Sequence, residues 1–381
     1  MKIFINGRFL SQSLTGVQRY AAEMVRAMDR LLTSGDAPPA LVEAEWQLLT
    51  PPDADVTINL RRIESLKIGR RTGHAWDQID LAQHARNGRL VSLANSGPVF
   101  HPRHLVVIHD AQVFQRPEFF SWTYLTAHRS LGYLLARTAT IATVSDFSRH
   151  ELASVLRLAP KSIPIFSNSA EHFAETVPDL GVLERLGIKP YNFFLSVGSM
   201  TRNKNIALAV HAAKQLNRSD MPLVVVGGDN SKVFQGGSTA AATPAAENNV
   251  IMAGRLSDEE IAALYSRAAA FVFPSLYEGF GVPPLEAMTF GCPVIATTAD
   301  AVRETCGDAA AYFNPLDVEE LRQRMLERIQ AGRLSDDERR RQQARLSNFS
   351  WRKSADTMLH FLDIKTHRVE TTSEVKDHNS A

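Results

Sequence analysis

Two glutamates separated by seven residues, Glu278 and Glu286, bracket the string Glu278-Gly-Phe-Gly281-Val-Pro-Pro284-Leu-Glu286-Ala-Met288. An ionised carboxylate accepts hydrogen bonds from both hydroxyls of a vicinal diol, so two of them suit a ligand with a diol at each end. Gly279 and Gly281 let backbone come close to a ligand, and the prolines suit the first turn of a helix, whose N–H groups attract phosphate. A nucleotide sugar has that layout, with diphosphate between its two diols. A lone glutamate in a first helical turn also complements the helix dipole. That accounts for Glu286 but not for the whole string.

Other residues could add to this chemistry. Lys204 follows a predicted strand and precedes a predicted helix, where an ammonium can neutralise a leaving diphosphate; on its own it reads better as a surface lysine. His109 and Asp110 end the apolar run Leu105 to Ile108, at the edge where open sheets bind ligands. Thr15-Gly16 opens the first helix, a turn that can bring amides to phosphate or serve simply as a turn. Asp53-Ala-Asp55 has the form of an Asp-x-Asp metal motif, but so short an oxygen-ligand pattern recurs by chance and it follows Pro51-Pro52 in a loop. No metal is expected there. The run Arg61-Arg62-Ile-Glu-Ser-Leu-Lys67-Ile-Gly-Arg70-Arg71 has five cations and one anion, which suits a solvated surface or contact with anionic headgroups.

The elements that must position these residues read as two alternating α/β sets. Apolar runs at Lys2–Asn6, Gln47–Thr50, Leu90–Ala94, Leu105–Ile108 and Thr140–Val144 alternate with helical patterns. A second set runs Phe193–Val197, Leu223–Val226, Val250–Ala253, Ala270–Phe273 and Pro293–Thr297. The fold class is thus α/β, two doubly wound units. A turn-rich stretch at Thr176–Gly181 places the boundary at 177/178, with domains over 1–177 and 178–350. The segment Gly236–Asn249 reads as a surface loop and 367–381 as a disordered tail.

Composition narrows the partners. With 42 Lys and Arg against 41 Asp and Glu, the net charge of +1 gives no global field for nucleic acid. Cys292 and Cys306 match no metal-ligand spacing and suit a reducing compartment. The short apolar start Ile3-Phe-Ile5 is no signal peptide, and no run is long enough to span a membrane, so a cytoplasmic protein is expected, with peripheral contact at the inner membrane face left open.

The motif string resembles the retaining glycosyltransferases of family 4, which have the GT-B fold, and the stretches Ile5-Asn-Gly-Arg-Phe-Leu10 and His109-Asp-Ala-Gln112 are similar to bacterial polysaccharide mannosyltransferases. The resemblance extends to Thr15-Gly16-Val17, His109-Asp110, Val144-Ser-Asp-Phe-Ser-Arg149, Val197-Gly-Ser199, Lys204-Asn205 and Gly254-Arg255-Leu256. It implies two Rossmann-like domains facing across a cleft, the first for acceptor and the second for the nucleotide sugar, with a last helix over 351–366 crossing back to the first. It implies that Glu278 contacts the transferred sugar, that Glu286 holds the nucleotide ribose, and that backbone at Phe280, Gly281 and Val282 lies against sugar and diphosphate. His109 would sit beside the reacting sugar, while Gly16, Ser199, Lys204 and Arg255 would meet the donor. The family usually has Arg directly before this Lys, whereas this chain has Asn203 there and Arg202 one position earlier, so Arg202 would be the replacement phosphate ligand.

The expected reaction is metal-independent transfer of a hexosyl group, with GDP-mannose the first donor considered and UDP-hexoses next, to a glycan or lipid-linked saccharide. Two other readings share the architecture: a nucleotide-sugar epimerase or hydrolase, and a catalytically silent nucleotide-sugar-binding subunit.

Overall fold

The computed structural model describes residues 1–55, 58–228 and 249–377. The loop expected at Gly236–Asn249 therefore lies, apart from Asn249, outside the described residues. The chain forms two compact units. The first takes Met1–Gln115, Phe120–Asn168 and the chain from Ser350, and the second takes Ser169–Phe349 with the short excursion Arg116–Phe119.

In the first unit six parallel strands, β1 (Lys2–Asn6), β2 (Glu45–Thr50), β3 (Glu64–Lys67), β4 (Arg89–Ser92), β5 (His104–Val107) and β6 (Thr140–Ala142), lie in the order β3-β2-β1-β4-β5-β6. The second repeats the plan with β7 (Phe194–Val197), β8 (Leu223–Val226), β9 (Val250–Gly254), β10 (Ala270–Phe273), β11 (Val294–Thr297) and β12 (Ala311–Phe313), ordered β12-β11-β10-β7-β8-β9. Each sheet reverses its strand order once, at β1/β4 and at β7/β10. Outside the carboxyl ends of the strands at such a point the following loops diverge and leave a crevice. Strands buried on both faces need continuous apolar runs. Leu-Val-Val-Val in β8 and Ala-Phe-Val-Phe in β10 are fully buried.

Two strands were not foreseen. β3 lies inside the basic run as a mostly exposed edge strand, Glu-Ser-Leu-Lys, without an apolar pattern. β12 is only three residues long.

The spacing of Val17, Tyr20, Ala21, Met24, Met28 and Leu31 predicts one core-facing side for the first helix, Gly16–Ser34, and all of them are buried except Val17, which is half-buried. The helix also buries Asp29, whose carboxylate accepts from the backbone N–H groups of Arg61, Arg62 and Ile63 at 2.9, 2.8 and 2.9 Å. One acid thereby fixes the entry to β3.

The units divide at Asn168/Ser169, ahead of the 177/178 boundary expected from turn composition. The segment before the division is stitched into the first unit: Phe166 N–H donates to Thr143 O at 2.8 Å and the buried Tyr20 hydroxyl to Phe166 O at 3.0 Å. The last helix, Trp351–Asp377, belongs to the first unit. Ser354 Oγ donates to Ser167 O at 2.7 Å, Arg89 Nη1 to Leu362 O at 3.0 Å, and Trp351 meets Tyr20 edge to face. This helix takes in 367–377 of the tail expected over 367–381. It runs unbroken to Asp377 because no Gly or Pro interrupts 351–377, and residues 378–381 are outside the described ones.

Candidate active site

In the second unit the carboxyl ends of β7 and β10 carry the loops that hold the motif residues. After β10 the chain turns through Glu278 and enters the helix Val282–Thr289 at Gly281, whose φ of 97° is left-handed and open to glycine at little cost. Phe280 turns its ring inward, 5.2 Å from Phe349, and its carbonyl accepts from Thr305 Oγ1 at 2.5 Å. That locks the backbone of Phe280, Gly281 and Val282 at the helix start.

After β7 comes Ser199, exposed and within 3.1 Å of Thr201 Oγ1, then the turn Arg202–Lys204. Leu276 N–H donates to Asn203 O at 2.7 Å, tying this turn to the motif loop. The result is a direct ion pair, Lys204 Nζ to Glu278 Oε1 at 2.6 Å, with side chains 20% and 12% exposed, and Lys204 Nζ stands 5.7 Å from the centroid of the Phe273 ring. Two residues distant in sequence and of opposite charge thus meet at the switch point. Arg202 does not join them: its Nη1 donates to Glu118 O at 3.3 Å. Arg255 is exposed and lies across Gly228, where a Cβ would come 2.4 Å from its Nε.

Glu286 lies in its own buried pocket, with Oε1 3.3 Å from His172 Nε2 and Oε2 accepting from the Tyr265 hydroxyl at 3.3 Å. Burial, with the Glu286 charge second, raises the Tyr265 pKa well above its ordinary value and keeps the phenol a donor. Sequence reasoning missed both partners. His172 sits in a segment without periodicity, and Tyr265 reads as plain core on its helix.

The first unit has its own cavity at the β1/β4 edge, about 330 Å³, lined among others by Arg8, Thr15, His74, Asp110, Tyr124 and His128. Gly16, exposed between Thr15 and Val17, has nothing within 4 Å of a Cβ position. Arg8, also missed, is held from behind by the buried Asp77, Nε to Oδ2 at 2.8 Å, and bonds Ser96 through Nη2. Asp77 accepts further from Ser96 Oγ at 2.8 Å and Asn6 Nδ2 at 3.1 Å. Burial pushes its pKa up, opposed by Arg8. Phe120, Tyr124 and His128 stack along the wall at centroid spacings of 5.2 and 3.7 Å. The signal available was Asn6-Gly-Arg8, polar residues directly after a strand.

His109 is buried, its ring 4.6 Å from Tyr20 and its Nε2 2.9 Å from Leu93 O. Asp110, beside it, lines the cavity instead. Burial pushes the His109 pKa down to about 4 and that of His104 down to about 3 from an ordinary 6.5. Both are neutral in the fold at pH 7, whereas the unfolded chain takes up a proton on each below 6.5. Stability present above that pH is therefore lost as pH falls from about 6.5 towards 4, on the order of 2 kcal/mol per imidazole at about pH 5. Urea unfolding at about pH 7.5 and 5 measures this, and His104→Gln should flatten the dependence. A midpoint that does not move would show that the imidazoles are not held neutral.

Asp53 and Asp55 are exposed after β2, and among the described residues no three metal-ligating side chains gather. In the basic run, Arg62 Nη2 donates to Val42 O at 2.6 Å, Lys67 Nζ to Pro52 O and Ala54 O at 3.2 Å each, and Arg71 pairs with Asp80 at 2.8 Å. That leaves Arg61 and Arg70 as the members whose side chains bond no described residue. Among the described residues no helix is long and apolar enough to cross a membrane. Cys292 and Cys306 are free and buried, their thiols pushed up to about 12 by burial.

Two parallel α/β units, each with loops converging at a switch point, give this chain the GT-B fold, and solved structures share it. Sucrose-phosphate synthase from Thermosynechococcus elongatus superposes with a TM-score of 0.65 at 20% identity, over 96% of this chain and 99% of that one. HepE of Anabaena, solved with UDP-glucose, gives 0.63 at 16% identity, over 98% and 99%. Residues 184–346, in the second unit, match the family described as glycosyl transferases group 1. It is 26% identical over 377 residues to O-antigen chain mannosyltransferase B of Escherichia coli, covering 92% of this chain and 96% of that protein.

Proposed function

We propose that this hexosyltransferase moves mannose from GDP-mannose to a glycan or lipid-linked saccharide in bacterial surface polysaccharide synthesis, with retention of configuration and without a metal. The Lys204–Glu278 pair carries the reading. A nucleotide sugar supplies a replacement partner for each member: diphosphate for the ammonium, sugar hydroxyls for the carboxylate. Near full-length similarity to an O-antigen mannosyltransferase supports the mannosyl choice.

In the mechanism the bond from the anomeric carbon to the diphosphate oxygen breaks and the electron pair leaves with the diphosphate. The acceptor hydroxyl bonds to the same face, and its proton passes to the departing phosphate oxygen. Lys204 and the backbone N–H of Val282, the two prolines after it having none, meet the growing negative charge. Glu278 holds the sugar. The first unit's cavity, with its aromatic wall and the Arg8 and Asp110 side chains, suits a neutral saccharide acceptor.

Glu286 is read as the ribose ligand, so Glu286→Ala should weaken GDP-mannose binding by roughly 1.5–3 kcal/mol, read by calorimetry. Unchanged affinity removes it from the donor site. The function itself is tested by incubating the protein and acceptor with GDP-mannose, UDP-glucose or UDP-N-acetylglucosamine, with and without EDTA. Proton NMR of the product reads the anomer. The expected result is an α-mannoside formed equally with EDTA; loss on chelation, restored by magnesium or manganese, would overturn metal independence. Free mannose formed at the same rate without acceptor would instead mark a hydrolase.

A further inference from the structure

The second sheet has a cavity at its other edge as well. About 490 Å³ in volume, it is lined by residues just ahead of the strands, among them Asn192 before β7, Met221 before β8 and Pro293 before β11. It therefore opens at the amino-terminal edge, away from the loops that carry Lys204 and Glu278.

Five arginines line this cavity against one carboxylate, Asp220. Arg218 takes Asp220 with both nitrogens, at 2.8 and 2.7 Å, and Arg328 pairs with Glu338 at 2.8 Å. Arg267, Arg333 and Arg339 have no carboxylate partner among the described residues. The Arg328 side chain is 9% exposed, and its buried Nε bonds no described residue. Tyr191 orders the group: its ring lies 4.2 Å from the Arg333 guanidinium and 5.9 Å from that of Arg267, and its hydroxyl accepts from Arg267 Nη1 at 3.3 Å. Its φ is +64°, in a turn closed by Asn192 N–H to Lys189 O at 3.1 Å, a position that ordinarily takes Gly or Asn. A tyrosine held in that conformation costs backbone energy, and such strain persists where the surroundings impose it.

Like charges gathered round one cavity repel, and guanidinium forks match phosphate oxygens. We propose that this cavity binds a multiply charged phosphate, as a phosphorylated small molecule or as the phosphate of a lipid headgroup, at a site separate from the donor's. Tyr265 forms part of its wall and donates to Glu286, so occupancy reaches the nucleotide-sugar side through one side chain. This coupling rests on the glycosyltransferase reading of Glu286; the anion site does not.

The test is calorimetry with inorganic pyrophosphate on the full chain, on Lys204→Ala to silence the donor site, and on the double variant Arg333→Ala/Arg339→Ala, whose binding is read in the Lys204→Ala background. Saturable binding that survives Lys204→Ala and weakens at least tenfold in the double variant, with unchanged circular dichroism, is expected. No saturable binding in Lys204→Ala, or equal binding in the double variant, overturns the site. Retention on phosphatidic acid but not phosphatidylcholine vesicles, lost in the double variant, assigns the phosphate to a lipid; pyrophosphate binding without retention assigns it to a free ligand. Turnover at saturating GDP-mannose should change at least twofold with pyrophosphate in the wild type and not in the double variant. Failure of that arm alone removes the coupling and leaves the anion site.

Discussion

Lys204→Ala is expected to lower turnover at saturating donor by about 100- to 1000-fold, the loss typical of a group that meets charge developing as a bond breaks. The argument starts from the pair itself. Lys204 is held against Glu278 by a turn whose Asn203 carbonyl is bonded to the motif loop, so its ammonium is positioned before any ligand arrives. A preorganised charge has no reorganisation to make during the reaction, which is why its loss falls on turnover more than on binding. Arg202→Ala provides the contrast. Its guanidinium is directed to the Glu118 carbonyl, and the variant should stay within a few-fold of wild type. Near wild-type turnover for Lys204→Ala would undo the leaving-group assignment, and a loss in Arg202→Ala as large as in Lys204→Ala would restore the two-cation clamp.

The second large effect concerns stability. Arg8→Ala should destabilise the first unit by about 3–5 kcal/mol, because Asp77 is fully buried and would keep its charge without its cationic partner. The hydrogen bonds from Ser96 and Asn6 remain but do not replace a cation. The pH dependence has a definite sign. Asp77 already has a raised pKa, and removing Arg8 raises it further. The folded variant then binds a proton more readily than the unfolded chain, so its deficit against wild type should narrow as pH falls. Arg8→Ala combined with Asp77→Asn should recover much of the loss. Urea denaturation of wild type, Arg8→Ala, Asp77→Asn and the double variant at two pH values checks this, and Arg8→Ala as stable as wild type would show that the pair adds nothing.

Where the chain announced its structure, it did so through period and punctuation. The apolar runs of β7, β8, β10 and β11 and the stripe of Tyr20, Met24, Met28 and Leu31 could be read because a core-facing strand or helix admits few other residues. β3 was hidden because an exposed edge strand needs no apolar pattern, and in Glu64-Ser-Leu-Lys67 the charges masked the strand. The motif string indicated Glu278 and Glu286, but not that Lys204 bonds the first while His172 and Tyr265 surround the second. Those pairings cross long stretches of chain and depend on how loops are tied, which no local spacing encodes. The same holds for Arg62 and Lys67, read as free surface charge until their side chains are seen bonded to backbone carbonyls.

The helix Trp351–Asp377, which belongs to the first unit, has a consequence for the order of events on the ribosome. Tyr20, Arg89 and Ser167 are made early, yet the helix they bind is translated only after all of the second unit. The first unit must therefore wait, its helix-binding face uncovered, while the second is synthesised and becomes free to fold. The usual order in which the amino-terminal unit finishes first is inverted here. A nascent chain stalled before residue 350 would expose the surface around Tyr20 to chaperones, and a stop codon there would damage the unit already made rather than the one just completed.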